Sequence, residues 1–216
     1  MKILLSSICL ETGTDIQLAL YYLKGYLLKI DPSYDVIIRV FNENQNIPAI
    51  VKKTLYLKPD LIGFSCYIWN IKKTLNICRR LKEISPGLKI VLGGPEVSPR
   101  AEEILAQEKA VDAVVRGEGE ESFAQFAQPG RTRTSFKRGA TRAALGRING
   151  ISLRKNKKII RNPDRPPLRN VNKIPSPYLS GLLDLKDKSI VDVPLETRVG
   201  ALSVADIAII IRTSLQ

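Results

Sequence analysis

Short apolar runs alternate with amphipathic stretches along the first 128 residues of the chain. The runs predict five buried strands, at residues 1–6, 34–41, 60–66, 88–92 and 110–115. Between them, apolar positions recur at helical spacing and predict helices at 18–30, 47–57, 71–84, from Ser98 onward, and at 120–128. Strands and helices that alternate with short connections are typical of an α/β fold. We therefore expect a doubly wound parallel sheet of five strands.

Small, polar or glycine residues follow several of these strands. In the flavodoxin-like (Rossmann-like) strand order that we expect, the carboxyl ends of the strands form the crevice where ligands bind. We call this end of the sheet, formed by the carboxyl ends of the strands and the loops that follow them, the carboxyl edge. The candidate ligand-binding residues there are Ser6, Ser7, Ser65, Cys66, Tyr67, Gly93, Gly94, Pro95, Glu96, Gly117, Glu118 and Gly119.

Each group of these residues has two interpretations at this stage. Residues 93–95 form either a tight strand-to-helix turn or a backbone surface on which a bulky ligand lies. Ser65 either donates a hydrogen bond into the crevice or only ends its strand. Tyr67 and Trp69 either wall a ligand pocket or pack against a neighbouring helix. The spacing G-x-G-x-x-G of a dinucleotide site is absent after the first strand, where the sequence is SSICLETG. The acidic residues at 118–121 favour the start of a helix and argue against a phosphate bound there.

Composition excludes several kinds of chemistry. The 216 residues include no histidine, which rules out a histidine general base, a catalytic triad and a histidine metal ligand in this chain. The three cysteines, Cys9, Cys66 and Cys78, lack metal-ligand spacing and predict neither a zinc site nor a disulfide framework. The apolar run at the N-terminus is too short for a signal peptide or a membrane span, so we expect a cytoplasmic protein without membrane contact.

The net charge of +13 belongs almost entirely to the second part of the chain. Up to Gln128 there are 16 basic and 15 acidic residues, whereas the remainder has 18 basic and 6 acidic residues. Between Pro129 and Pro177 the only aromatic residue is Phe136, and single-stranded nucleic acid is bound largely by stacking on aromatic rings. We therefore do not expect nucleic acid as the main partner, although phosphate contacts of the basic extension remain an alternative.

Three segments carry a family resemblance: KPDLIGFSCYIWN, LKIVLGGPEVS and VDAVVRGEGEESF. Together they resemble the N-terminal cobalamin-binding domain of the cobalamin-dependent class of radical S-adenosylmethionine (SAM) proteins. The resemblance covers about Lys2 to Phe126 and continues in GRINGISLRKNKKII as a short strand pair. It implies that a corrinoid lies across the carboxyl edge. Ser65 and the pair Gly93 and Gly94 would line the pocket for its nucleotide tail, and the loops after the first and third strands would face the corrin ring.

Two departures from that family pattern affect the expected cofactors. Many cobalamin domains supply a histidine to cobalt from a D-x-H-x-x-G loop, but the corresponding loop here is ICLETGTDI. The resemblance therefore implies cobalamin without histidine ligation. The family's catalytic domain begins with C-x-x-x-C-x-x-C, which holds a [4Fe–4S] cluster and SAM, yet no cysteine follows Cys78. The cluster and SAM are not expected in this chain.

The segment ETRVGALSVADIAIII stands where that cysteine motif would begin. In a shifted reading frame, the codon junctions 200/201, 204/205 and 207/208 can each spell cysteine at the family's spacing. We hypothesise that the gene carries a frameshift, or was read with one, before the motif. Junction codons that cannot give TGC or TGT would contradict this hypothesis.

These observations predict three regions. Residues 1–128 form a cobalamin-binding α/β domain, residues 129–188 a basic linker with a short strand pair, and residues 189–216 the frameshifted start of a radical SAM domain. The expected function is a corrinoid-binding module of a radical SAM enzyme whose catalytic barrel is missing, with no catalysis by this chain alone. The alternative is a flavodoxin-like regulatory or protein-interaction domain without a bound cofactor.

Overall fold

The computed structural model describes residues 1–10, 17–128, 145–155, 158–168, 170 and 173–183, and the backbone of 191–195 and 207–211. The helices in these residues are α1 (Leu18–Ile30), α2 (Ile47–Tyr56), α3 (Ile71–Ile84), α4 (Ala101–Gln107) and α5 (Glu120–Ala127). The strands are β1 (Lys2–Cys9), β2 (Asp35–Asn42), β3 (Leu61–Ser65), β4 (Lys89–Gly93), β5 (Ala113–Val115), β6 (Ile151–Lys155), β7 (Lys158–Arg161), β8 (Val191–Leu195) and β9 (Ile207–Ile211).

Seven of the described strands form one sheet in the order β2-β1-β3-β4-β5-β6-β7. The first five are parallel, which confirms the mostly parallel α/β fold, whereas β6 and β7 are antiparallel to their neighbours. The predicted count of five strands is therefore wrong. Strand β5 has only three residues, and its outer side would be an unpaired edge without β6, which pairs Leu153 with Ala113.

Helices cover both faces of the sheet and bury one hydrophobic core on each. One core contains Leu20 and Leu27 of α1 together with Phe123 and Phe126 of α5. The opposite core contains apolar residues of α2, α3 and α4, including Ile50, Ile77, Leu81, Ile104 and Leu105. The central strands are consequently buried on both faces, which explains why they read in the sequence as continuous apolar runs.

Several predicted boundaries need correction. The first strand was expected to end at Ser6, but β1 continues to Cys9 because its partner β2 pairs with it as far as Asn42. The fourth helix was expected to start at Ser98, but α4 begins at Ala101. The Ser98 hydroxyl donates to the Gly94 carbonyl oxygen at 2.9 Å, which places Ser98 in the turn before the helix. Helix α3 has the predicted bounds at both ends.

Residues 145–183, which we call the extension segment, pack against the parallel part of the sheet. Beyond the β6–β7 pair, this segment crosses helix α1. A Cβ atom built on Gly25, in the middle of α1, would lie 3.2 Å from the Leu182 side chain and 3.5 Å from Pro175. The Lys29 ammonium group donates to the Lys173 carbonyl oxygen at 2.7 Å. Glycine in a helix interior costs about 1 kcal/mol relative to alanine, and here it permits the close approach of the extension segment.

Strands β8 and β9 form a separate antiparallel pair of their own. Within the segment ETRVGALSVADIAIII, residues 207–211 form strand β9. The rest of the hypothesised frameshifted region lies outside the described residues except for 191–195. Among the described residues, no helix has both the length and the apolar character needed to cross a bilayer.

Candidate functional site

The ends of β3 and β4 lie side by side at the carboxyl edge. Ser65 pairs with Gly93 in the sheet, and the Cys66 amide donates to the Gly93 carbonyl oxygen at 2.8 Å. The turn that follows β4 then passes back over β3, because the Glu96 amide donates to the Cys66 carbonyl oxygen at 3.4 Å. Residues after two neighbouring strands, predicted separately from the sequence, therefore form one continuous surface.

Gly94 is the residue at which this surface requires glycine. Its φ angle is +107°, a conformation that residues with a side chain rarely adopt. A Cβ atom there would lie 2.5 Å from the Cys66 carbonyl oxygen and 2.9 Å from the Cys66 nitrogen. At Gly93, in contrast, the nearest atoms to a built Cβ are 3.9 Å away, on Val115. Gly94 thus provides backbone contact between two loops, and Gly93 leaves the surface beside them without a side chain.

Asn70 joins the ends of β1 and β3. Its side-chain amide donates to the carbonyl oxygens of Ile8 at 3.1 Å and Ser65 at 3.3 Å, and its oxygen accepts from the Tyr67 amide at 2.9 Å. Asparagine is a common residue at the N-cap of a helix, which is the role that the sequence suggests for Asn70. It does occupy the residue before α3, but its side chain makes no capping hydrogen bond. Its role in shaping the loop after β3 was therefore missed.

An apolar patch lies on the loops after β1 and β3. Leu10, Ile68 and Trp69 expose 57%, 76% and 49% of their surface. The rings of Tyr67 and Trp69 stack on each other, with centroids 4.6 Å apart and planes 8° apart. Exposed apolar patches with polar residues around them often mark binding sites in soluble proteins. We call Leu10, Ile68 and Trp69 the apolar patch.

The loop after β5 contributes a third part of the carboxyl edge. Gly117 has a φ angle of +68°, and a Cβ atom there would meet nothing within 4 Å. Glu118 accepts a hydrogen bond from the Leu168 amide at 2.8 Å through Oε2. Its other oxygen, Oε1, is buried and has no hydrogen-bond partner within the part of the chain that the structure describes. A buried carboxylate oxygen without a partner is costly, so this atom calls for a donor that the described residues do not supply.

The remaining predicted residues lie at different depths. Ser6 is fully buried in β1, and its hydroxyl donates to the Arg39 carbonyl oxygen at 2.8 Å. The Ser7 hydroxyl donates to the Ser65 carbonyl oxygen at 3.4 Å, which links it to the carboxyl edge. The remaining three lie beside that edge: Pro95 is exposed, Glu96 pairs with Arg100 at 2.7 Å, and Gly119 precedes α5.

The cysteines have no reactive environment. Cys9, Cys66 and Cys78 are all buried. Burial raises the pKa of the Cys66 thiol well above its ordinary value, and the same cause raises the pKa of Cys78. A thiol that stays protonated is a poor nucleophile and a poor metal ligand. Among the described residues, no cluster of three or more His, Cys, Asp or Glu side chains could hold a metal ion.

Comparison with known proteins gives the site a context. A sequence profile described as the B12 binding domain matches residues 12–127. The 2-(S-pantetheinyl)-carbapenam-3-carboxylate methyltransferase of Streptantibioticus cattleyicolor is 35% identical over 128 residues, which are 58% of this chain and 17% of that protein. The anaerobic magnesium-protoporphyrin IX monomethyl ester cyclase of Rubrivivax gelatinosus is 28% identical over 183 residues, 82% of this chain and 30% of that protein.

Solved structures share the fold. The cobalamin-dependent SAM radical enzyme OxsB, with aqua-cobalamin and SAM bound, superposes with a TM-score of 0.62 at 20% identity, over 84% of this chain and 24% of OxsB. The radical SAM methyltransferase TsrM from Kitasatospora setae, with cobalamin and a [4Fe–4S] cluster, gives a TM-score of 0.55 at 16% identity, over 81% of this chain and 31% of TsrM. The chain thus spans less than a third of the length of any of these proteins.

Proposed function

This chain belongs to the B12-binding domain family and is a cobalamin-binding module, and from that premise we propose that the corrinoid lies across the carboxyl edge of β1, β3, β4 and β5. The residues that would hold it are Ser7, Ser65, Cys66, Tyr67, Gly93, Gly94, Pro95, Glu96, Gly117, Glu118 and Gly119. Ser6 belongs to the predicted set as well, but it would act from beneath this surface, through β1 and β2. The observation that carries the proposal is the glycine surface at 93 and 94 beside the exposed apolar patch.

The backbone surface fits the narrow part of such a ligand. Gly94 places its loop against Cys66 at a distance that no side chain would permit, and Gly93 leaves the adjoining space open. Chain atoms there are backbone groups, which lie close to a ligand and donate or accept hydrogen bonds without side-chain entropy. This part of the carboxyl edge would take the nucleotide tail.

The apolar patch and Glu118 fit the broad part of the ligand. A corrin ring has a large apolar face, and Leu10, Ile68 and Trp69 expose apolar surface that such a face would bury. The periphery of the ring carries amide side chains, whose N–H groups are donors. Glu118 Oε1 is a buried acceptor without a partner among the described residues, so an amide donor there would satisfy it.

This chain provides no histidine to cobalt, because the sequence contains none. We propose that any cobalamin bound here is held without a histidine ligand from this chain. When bound, cobalamin supplies a cobalt centre that can carry a methyl group or assist a radical step. The chain's own residues bind and orient the corrin and cover part of it from water.

We further propose that the module works within a radical SAM protein. Support comes from the relatives named above, which include methyltransferases and a ring cyclase. The three cysteines of this chain are buried and have no cluster spacing, so a [4Fe–4S] cluster and SAM would be held elsewhere than on the described residues. Because the relatives carry out different reactions, the proposal names the cofactor and not the substrate.

Titration of the purified chain with hydroxocobalamin tests the binding proposal. We expect retention of one corrinoid per chain through gel filtration and a changed corrin absorption spectrum. A chain with Gly181→Ala should bind as the unaltered chain does, because Gly181 lies away from the carboxyl edge and a side chain there meets nothing. Failure of the folded, unaltered chain to retain corrinoid would contradict the proposal and favour a protein-interaction domain that uses the apolar patch.

A further inference from the structure

A buried arginine lies at the carboxyl edge directly before the loop that carries Gly117 and Glu118. Arg116 follows β5 and exposes only 4% of its surface. The sequence showed it only as one of several residues that end the fifth strand. A buried guanidinium is costly unless its donors are satisfied, so its partners identify what it holds.

All of the described partners of Arg116 belong to the extension segment. Its guanidinium donates to the Asn162 carbonyl oxygen at 2.6 Å, to Asp164 Oδ1 at 2.7 Å and 3.1 Å, and to the Ser152 hydroxyl. Its backbone amide donates to the Gly150 carbonyl oxygen at 2.8 Å. We call Arg116, Gly150, Ser152, Asn162 and Asp164 the Arg116 cluster. The cluster fixes the exit of β5 relative to the extension segment.

The other side of the same loop is also held by the extension segment. Glu118 Oε2 accepts from the Leu168 amide, four residues beyond Asp164. A Cβ atom on Gly150 would lie 3.3 Å from the Arg116 carbonyl oxygen, so the extension segment is in close contact with the chain where the loop begins. The loop with Gly117 and Glu118 is therefore held by the extension segment at two points, Arg116 directly before it and Glu118 within it.

We propose that Arg116 is a positioning residue for ligand binding at the carboxyl edge, which acts by joining the loop of residues 117–119 to the extension segment. This inference rests on the proposed cobalamin site, because Glu118 is the group that Arg116 positions toward the corrinoid. Loss of the cluster releases the loop, and the buried Glu118 oxygen no longer meets an amide donor in one fixed place. A movement of the extension segment would be transmitted to the loop of residues 117–119, and so to a bound cofactor, through the Arg116 cluster.

Arg154 provides a matched control. Arg154 lies in β6, next to β5, but toward the opposite end of β5 from Arg116, and its guanidinium donates to the carbonyl oxygens of Leu105 and Glu108. Both Arg116→Met and Arg154→Met remove contacts between the extension segment and the rest of the fold. Only Arg116→Met removes contacts at the carboxyl edge. A third variant, Arg116→Lys, keeps the positive charge but not the forked geometry.

Two measurements on the folded chains test the proposal: hydroxocobalamin affinity, and hydrogen exchange of the amides of residues 117–119. For Arg116→Met we expect affinity to fall about tenfold, within the usual range of coupling between sites, and loop exchange to accelerate about as much. Arg154→Met should leave both within about twofold of the unaltered chain. If Arg116→Met does not fold, Arg116→Lys should show the same changes at reduced size.

The outcomes separate this inference from the proposed function. Unaltered affinity and unaltered loop exchange in the Arg116 variants would overturn the positioning role. Equal losses in the Arg116 and Arg154 variants would also overturn it, because they would indicate general destabilisation. If the unaltered chain binds no hydroxocobalamin, the proposed function fails, and exchange of residues 117–119 then decides alone whether Arg116 fixes the loop.

Discussion

The two edges of the parallel sheet satisfy their polar groups in different ways. At the amino edge, where the strands begin, Asp112 accepts from Lys82 at 2.7 Å, from Lys89 at 3.0 Å and from the Ile90 amide at 2.8 Å. Asp60 accepts from the Lys2 amide at 2.9 Å. These carboxylates are bonded to nearby donors of the same fold, although Arg154 Nε, toward the same edge, is buried without a partner among the described residues.

The carboxyl edge differs in both polar and apolar groups. Glu118 keeps one buried oxygen without a partner among the described residues, and the apolar patch exposes large side chains. Where the loops after β3 and β4 meet, the backbone of Gly94 lies directly against the backbone of Cys66, with no room for a side chain between them. Under the proposed function, the amino edge contributes stability alone, whereas the carboxyl edge contributes both contacts of the fold and the groups that would bind the corrinoid. Substitutions at the amino edge should therefore change unfolding, and substitutions at the carboxyl edge should change corrinoid binding.

Gly94→Ala should have the largest effect, because Gly94 makes a backbone contact of the fold and also belongs to the proposed binding site. The added Cβ would meet Cys66 backbone atoms that cannot move aside, and the positive φ adds strain. We expect the free energy of unfolding to fall by about 2–4 kcal/mol and corrinoid retention to be lost. Gly181→Ala has a positive φ of +70° but open space, and should cost about 1 kcal/mol. Equal stability of the two variants in urea unfolding would contradict the backbone contact.

Asp112→Ala should affect stability alone. It removes the acceptor of two lysines and one backbone amide at the amino edge. We expect a loss of about 1–3 kcal/mol in the free energy of unfolding, the usual cost of leaving partly buried donors unpaired. Hydroxocobalamin affinity of the folded variant should equal that of the unaltered chain. Weakened binding at temperatures where the variant stays folded would show that the edges are not independent.

Glu118→Gln should affect binding alone. The side-chain carbonyl oxygen of glutamine can still accept from the Leu168 amide, but its other group becomes a donor where the unpartnered oxygen stands. We expect corrinoid affinity about tenfold lower, because a donor would face a donor, with little change in unfolding. Glu83→Gln on α3, an exposed residue away from this edge, is the control. Binding by Glu118→Gln that matches the control would remove Glu118 from the site.

Sequence alone was sufficient for the parallel half of the fold, and it named the candidate residues of the carboxyl edge, whose role in binding is still a prediction. The bounds of α3 were predicted because its apolar residues recur through four turns with Ser85 and Pro86 after it. Gly94 was predicted because it directly follows a strong strand signal. The interactions within α3 are local, so the pattern of neighbouring residues contains them, whereas the contact between Gly94 and Cys66 joins residues that are distant in the sequence.

The contacts between distant residues were not predictable in this way. Strand β6 pairs with β5 although more than thirty residues separate them in the sequence. An apolar pattern can predict that a segment is a strand, but it does not identify the strand that will be its partner. Arg116 looked like an ordinary loop residue because its partners at 152–164 are remote in sequence. The sequence does not distinguish helix capping from the cross-loop hydrogen bonds that Asn70 makes, because the same amide groups suit both roles. The role assigned to each candidate cofactor residue remains a prediction.

Ile68→Ser should have a moderate effect on binding. Ile68 belongs to the apolar patch and exposes 76% of its surface, so its replacement removes little packing from the fold. Loss of roughly half of a buried isoleucine contact with the corrin is worth about 1 kcal/mol, or about fivefold in affinity. Ile84→Ser, at the end of α3 away from the carboxyl edge and 63% exposed, should leave affinity unchanged. A similar loss in both variants would point to a nonspecific apolar effect.

The smallest effect concerns pH and the Arg116 cluster. Hydrogen bonding from Arg116 holds the pKa of the Asp164 carboxyl below its ordinary value of 3.8, against partial desolvation. A carboxyl with a lowered pKa in the folded state stabilises the fold above its unfolded pKa and loses that contribution as the pH falls through the folded one. The difference in unfolding free energy between the unaltered chain and Asp164→Asn should therefore stay constant from pH 7 to about pH 5 and vanish well below pH 3.8. Glu83→Gln, on α3, serves as the exposed reference. If the difference in unfolding free energy between the two chains grows as the pH falls, the contact between Arg116 and Asp164 does not stabilise the fold.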